Sequence, residues 1–160
     1  MTRRFAVSAA LALAAAALLS ACAGGPVRRV SEPAASIQQL TVRADGRWDV
    51  QLRLNNFSSV AMRFGQARLE LAFDGVAAAR IDTSAGLEVG PESADVVTAT
   101  VSPLPEGRAR VATALADGRS LGYALTGTLQ AGPLEGGPRE YRIKRESGLS
   151  PVPGLPGVLR

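Results

Sequence analysis

The side chains able to do chemistry in this chain are few, and most lack the partner that their chemistry needs. Histidine is absent and cysteine occurs once, as Cys22. Without an imidazole there is no Ser-His-Asp or Cys-His nucleophile, and a zinc site of histidine and cysteine ligands is excluded with it. A single thiol also excludes a disulfide within the chain. Ser58 and Ser59 have no base nearby in sequence, and a serine–lysine route would need Lys144, the sole lysine, which lies in a charged segment. The 14 carboxylates fall at turns (Asp45, Asp74, Asp117) or on the polar phase of alternating segments (Asp49, Glu70), which reads as solvated surface rather than an acid–base pair. No enzyme activity, cofactor, metal or small-molecule substrate is expected. The formal charge is +4, and without Arg3 and Arg4 the remaining 16 cations against 14 carboxylates leave +2. That excess is too small for a nucleic-acid footprint.

Cys22 has a context of its own. Arg3 and Arg4 precede an apolar run from Phe5 to Leu19 broken only by Ser8. At a helical rise of about 1.5 Å per residue this run covers about 22 Å, short of the roughly 30 Å of a bilayer core. Residues 1–21 therefore read as a cleaved signal peptide rather than a spanning helix. The segment Leu19-Ser20-Ala21-Cys22 resembles the lipobox of bacterial lipoproteins, which implies cleavage before Cys22 and a diacylglyceryl group on its sulfur. Ala23, where an Asp would imply retention in the inner membrane, implies export to the outer membrane, with the domain facing the periplasm. Residues 22–35 are rich in Gly, Pro, Ala and Ser, the composition of a flexible tether. Arg28 and Arg29 within it are candidate contacts for anionic headgroups, each worth about 1 kcal/mol near such a surface. Arg139, Arg142, Lys144 and Arg145 form the other basic cluster, relieved by Glu140 and Glu146. Its candidates for a membrane or partner contact are Arg142, Lys144 and Arg145, although charges that block strand pairing account for it equally well.

The body of the chain alternates with period two. Ile37, Leu40 and Val42 start the series, and Asp45-Gly46 turns it. Trp48 to Asn55 and Ala67 to Phe73 each place apolar residues on one face, with Trp48 and later Tyr123 reading as packing residues. Asp74-Gly75 is the dipeptide of a tight hairpin, after which Val76 to Thr83 returns with Ala77, Ala79 and Ile81 on one face. Ala94 to Val101 is rich in β-branched residues. Leu121 to Leu129 alternates again, with Gly127 interrupting the apolar series, and Tyr141 and Ile143 mark a short last strand. Glu106 to Ala116 alone has helical spacing, and Asp117-Gly118 is its stop. The prediction is an all-β, antiparallel two-sheet β-sandwich of the immunoglobulin or fibronectin III kind, with about seven strands and one short α-helix. Its bounds are 36–147, and 148–160 forms a Pro/Gly-rich tail, either an extended strap or a disordered end.

The order of these elements resembles the type 2 late-embryogenesis-abundant family, also called the water-stress and hypersensitive-response domain. The strand Val50-Gln51-Leu52-Arg53-Leu54 leads into a corner, Asn56-Phe57-Ser58, where the family has an Asn-Pro-Asn-like sequence. Ala67 to Phe73, Asp74-Gly75-Val76-Ala77 and Val96 to Val101 follow, and Tyr123 to Leu129 matches the family's strand after its helix. Phe57 and Ser58 depart from the pattern, yet Asn and Ser side chains still make turns. The resemblance implies a sandwich with one helix and a role in desiccation or other water stress, and no catalytic residues. A non-enzymatic, lipid-anchored protective or envelope-stabilising protein is the expectation. The alternative is an adaptor that binds an envelope protein through a sheet edge or through its tail.

Overall fold

The computed structural model describes residues 28–160. Eight strands, β1 (Ala34–Val42), β2 (Trp48–Asn55), β3 (Met62–Phe73), β4 (Val76–Val89), β5 (Ala94–Val101), β6 (Leu121–Pro133), β7 (Arg139–Leu149) and β8 (Val158–Leu159), enclose one helix, α1 (Pro105–Asp117), between β5 and β6. They form two four-stranded sheets, in the order β5-β2-β1-β8 and β4-β3-β6-β7, with every pairing antiparallel. The fold is the expected all-β sandwich. Period-two alternation places Val50, Leu52 and Leu54 of β2 against Leu69, Leu71 and Phe73 of β3 in one core. Trp48 and Phe73 meet across the two sheets edge to face, with ring centroids 5.9 Å apart. Each such fully buried large side chain contributes about 1.5–3 kcal/mol.

Bulges adjust the alternation where the layers must fit other elements. Ala77 was expected to share a face with Ala79 and Ile81, but the register passes from Leu71↔Ala79 to Ala72↔Ala77 and leaves Ala78 as an extra residue. Ala78 and Ala79 are both buried, and Ala77 faces outward. The carbonyl of Ala78 accepts the Leu104 amide at 2.7 Å, and Gly107 of α1 lies so close that a Cβ there would run into the Ala78 backbone. The bulge is the seat of the helix. A second bulge, at Gln38, lies between Ile37 and Gln39 of β1. There the Ile37 amide donates to the Tyr123 hydroxyl at 3.1 Å, a buried bond joining the two sheets.

The folded unit exceeds the expected 36–147 at both ends, because β1 starts at Ala34 and β8 follows the Pro-rich stretch. The tail is a strap. Ser150, Val152 and Arg160 donate the ladder bonds that its prolines cannot, to Arg160, Val158 and Ser150 respectively. This small hairpin lays β8 beside Leu40 and Thr41 of β1, and Leu159 is fully buried. The last strand of the second sheet is also longer than Tyr141 and Ile143 suggested, since β7 pairs with β6 from Arg139 to Leu149. Its charged outer residues conceal the alternation of Tyr141, Ile143 and Leu149.

Candidate functional site

The corner between β2 and β3 lies at one end of the sandwich together with the β4–β5 loop, the β6–β7 loop and the incoming residues 28–33. The opposite end carries α1 and the turns at 43–47 and 74–75. Asn56 is fully buried at the corner. Its amide nitrogen donates to the carbonyls of Val60 (2.8 Å), Val89 (3.1 Å) and Gly90 (2.8 Å), while its Oδ1 accepts the Ser58 amide at 2.9 Å. One side chain thus joins the β2–β3 corner to the end of β4, and no buried side-chain polar atom among the described residues lacks a partner.

Ser58 is buried as well, with its hydroxyl 2.9 Å from the Met62 sulfur and accepting the Ser31 amide at 3.0 Å. Phe57 between them points outward and is 51% exposed. Ser58 and Phe57 therefore have different roles. The Ser58 hydroxyl receives the incoming chain, and Phe57 places an aromatic ring at the surface.

The incoming chain is clamped rather than loose from Arg28 onward. Backbone and side-chain bonds pair Arg29 with Ser59, with the Ser59 amide donating to the Arg29 carbonyl at 2.9 Å and the Arg29 amide to the Ser59 hydroxyl at 2.8 Å. The Arg28 guanidinium pairs with Glu135 at 2.8 Å, and that of Arg29 with Glu92 at 3.0 Å. Of the expected flexible tether 22–35, residues 28–35 are therefore held to the domain while 22–27 lie outside the described residues, and both arginines pair with partners on loops of the same domain.

The other basic residues lie elsewhere. Arg142 and Lys144 stand on the outer phase of β7, opposite Thr128 and Thr126, whereas Arg145 takes the core-facing phase opposite Leu125 at the open sheet edge. Arg142, Lys144 and Arg145 make no ion pair among the described residues, and an inward-phase charge on an edge strand discourages sheet-to-sheet pairing. Arg28 and Arg29 thus do not share a surface with Arg142, Lys144 and Arg145. Nor does Ser58 meet Lys144, since one is buried in the corner and the other is exposed on β7. Cys22 and the signal segment lie outside the described residues.

One groove near the helix end gathers charged side chains. Its volume is about 360 Å³, and it is lined by Asp74, Arg110, Thr113, Arg119 and Ser120. Its arginines are engaged, Arg110 by Asp74 at 3.7 Å and Arg119 by Asp117 at 2.8 Å. At the same end of the fold, the Arg47 side chain and amide bond to Asp45 and hold its carboxyl below the ordinary 3.8. The Thr100 hydroxyl, followed by Arg43, does the same for Asp49. No group of three or more acidic, histidine or cysteine side chains placed to hold a metal occurs among the described residues. No helix among them is long and apolar enough to cross a membrane.

No family model matches the chain, and no curated protein matches it. Solved structures with a similar arrangement include a protein from Archaeoglobus fulgidus, at 16% identity and a TM-score of 0.43 over 77% of this chain and 98% of the other. The solution structure of AT1g01470 from Arabidopsis thaliana has 14% identity and a TM-score of 0.47 over 79% of this chain and 81% of its own.

Proposed function

We propose that this chain is a lipoprotein held to the outer membrane through Cys22, whose periplasm-facing domain is a type 2 late-embryogenesis-abundant sandwich that protects or stabilises the envelope without catalysis as water is lost. The observation that carries the reading is the junction between address and fold. A lone cysteine closes an apolar leader, and six residues later Arg28 is already clamped to the domain by Glu135. Three acyl chains on Cys22 make a durable anchor, since two already suffice. The sandwich so held has satisfied buried polar atoms, many of its surface charges paired within the chain, and polar outer strand faces. Such a body keeps its shape as water activity falls and separates surfaces that would otherwise fuse or adhere.

The adaptor alternative has one favouring observation. The Pro-rich tail is occupied within the sandwich, but the outer edge of β7 is unpaired, so an extended peptide has a place there. Both readings meet in one experiment. Dye-loaded vesicles carrying the full lipidated protein are dried and rehydrated beside vesicles carrying an unrelated lipidated β-sandwich at equal mass. Greater dye retention supports protection. Equal retention, together with a protein captured by crosslinking in intact cells through a reporter at Lys144, favours the adaptor.

A further inference from the structure

We propose that the corner end of the sandwich rests against the bilayer, with Phe57, Leu134 and Val30 seated in the interfacial region; this deepens the lipoprotein reading and rests on it. These three are among the exposed large apolar residues of the described chain, at 51%, 42% and 44% exposure. They sit on three separate segments, the β2–β3 corner, the β6–β7 loop and the incoming residues 28–33, that converge on one end of the fold. The remaining two, Leu104 and Leu155, lie at the opposite end of the fold; Leu134 lines a groove with Val60 and Ala61 at the corner end, as Leu104 and Leu155 line grooves at theirs.

Chain length selects the end. Six residue steps separate Cys22 from Arg28, and a chain spans at most about 3.6 Å per residue, so Arg28 lies within about 22 Å of the lipid-bearing sulfur. The twelve residues of β3 span about 40 Å from the corner end to the helix end. A molecule touching the bilayer with its helix end would hold Arg28 beyond the reach of its own anchor.

Charge selects the mode of contact. Arg28 and Arg29 are paired with Glu135 and Glu92, so the corner end offers apolar side chains and internally paired arginines, with Arg139 its one arginine outside the ion pairs among the described residues. Contact of this kind does not depend on anionic lipid and survives high salt, whereas a contact through Arg142 and Lys144 would weaken in both conditions.

The test uses the mature lipidated chain reconstituted into zwitterionic phosphatidylcholine vesicles. Thioether formation occupies the native cysteine, so Gly136→Cys at the corner end, Lys144→Cys on the side and Ala112→Cys at the helix end each offer a single thiol for a fluorophore. Nitroxide-bearing lipid in the same vesicles should quench the label at 136 several-fold more than those at 144 and 112, with no change at high salt. The Phe57→Ser/Leu134→Ser background should lower quenching at 136 several-fold, while the short tether still keeps it above that at 112. Equal quenching at all three sites, strongest quenching at 144, or undiminished quenching at 136 in the double-serine background overturns the proposed seat while leaving the anchor intact. A protein that does not float with the vesicles overturns the seat together with the anchor.

Discussion

Asn56 and Phe57 are neighbours with opposite expected responses to truncation. Asn56→Ala leaves the carbonyls of Val60, Val89 and Gly90 without their donor in a fully buried site, and a loss of about 3 kcal/mol is expected by chemical denaturation. Phe57→Ala removes a half-exposed ring and should change stability by less than about 0.5 kcal/mol. Equal losses at the two positions would contradict the corner as described. Tyr123→Phe deletes the acceptor of the buried Ile37 amide and should cost about 1–2 kcal/mol by the same assay. The corner was legible in the sequence as a turn, because Asn and Ser bond to nearby backbone. That Ser58 would be buried was not, because its partners Met62 and Ser31 meet only in the folded chain. The Ile37–Tyr123 bond was hidden for a similar reason, since a bulge at Gln38 has no signature of its own in a polar pair such as Gln38-Gln39.

At the scale of elements, α1 and the tail show what period counting finds and what it misses. The helix was visible from Val111, Ala112 and Leu115 at helical spacing and from Gly118, which closes it in the left-handed region at φ 63°, although Ala112 is exposed and Ala114 takes the buried place beside Val111. Its seat on the Ala78 bulge was not visible, although a glycine inside a helical pattern, Gly107, was the available signal. Gly107→Ala should gain up to about 1 kcal/mol of helix propensity, yet it drives a Cβ into the Ala78 backbone. The net expectation is a loss of about 1–3 kcal/mol, read as a lowered denaturation midpoint; a raised midpoint would show that the helix does not sit there. In the tail, the prolines concealed a strand because the donors lie between and beyond them. Leu159→Ala is expected to cost about 2–4 kcal/mol, as for a core leucine. A neutral effect would mean that the strap is not part of the sandwich.

For the whole molecule, ionisation predicts a flat stability profile across physiological pH. The chain has no histidine, the side chain whose ordinary titration falls between about pH 5 and 8. The carboxyls of Asp45 and Asp49 are held below the ordinary 3.8 by Arg47 and by Thr100 with Arg43. A depressed folded-state value stabilises the fold above the unfolded value, and that contribution disappears as pH falls through the lowered one. The contribution of these two carboxyls to the denaturation midpoint should therefore be constant from neutrality down past pH 5, and its small loss should fall near and below 3.8. Asp49→Asn should lessen the acid decline, and a decline unchanged in that variant would assign it to other groups. A fold with such a profile tolerates shifts in acidity, in keeping with the proposed role.

If a sandwich anchored at Cys22 preserves the membrane that carries it, drying that membrane will reveal the effect. Vesicles bearing the lipidated protein should retain clearly more encapsulated dye after drying and rehydration than vesicles bearing an unrelated lipidated sandwich at equal mass. Retention equal to that control, with the protein intact and still vesicle-bound, would rule out protection of the membrane.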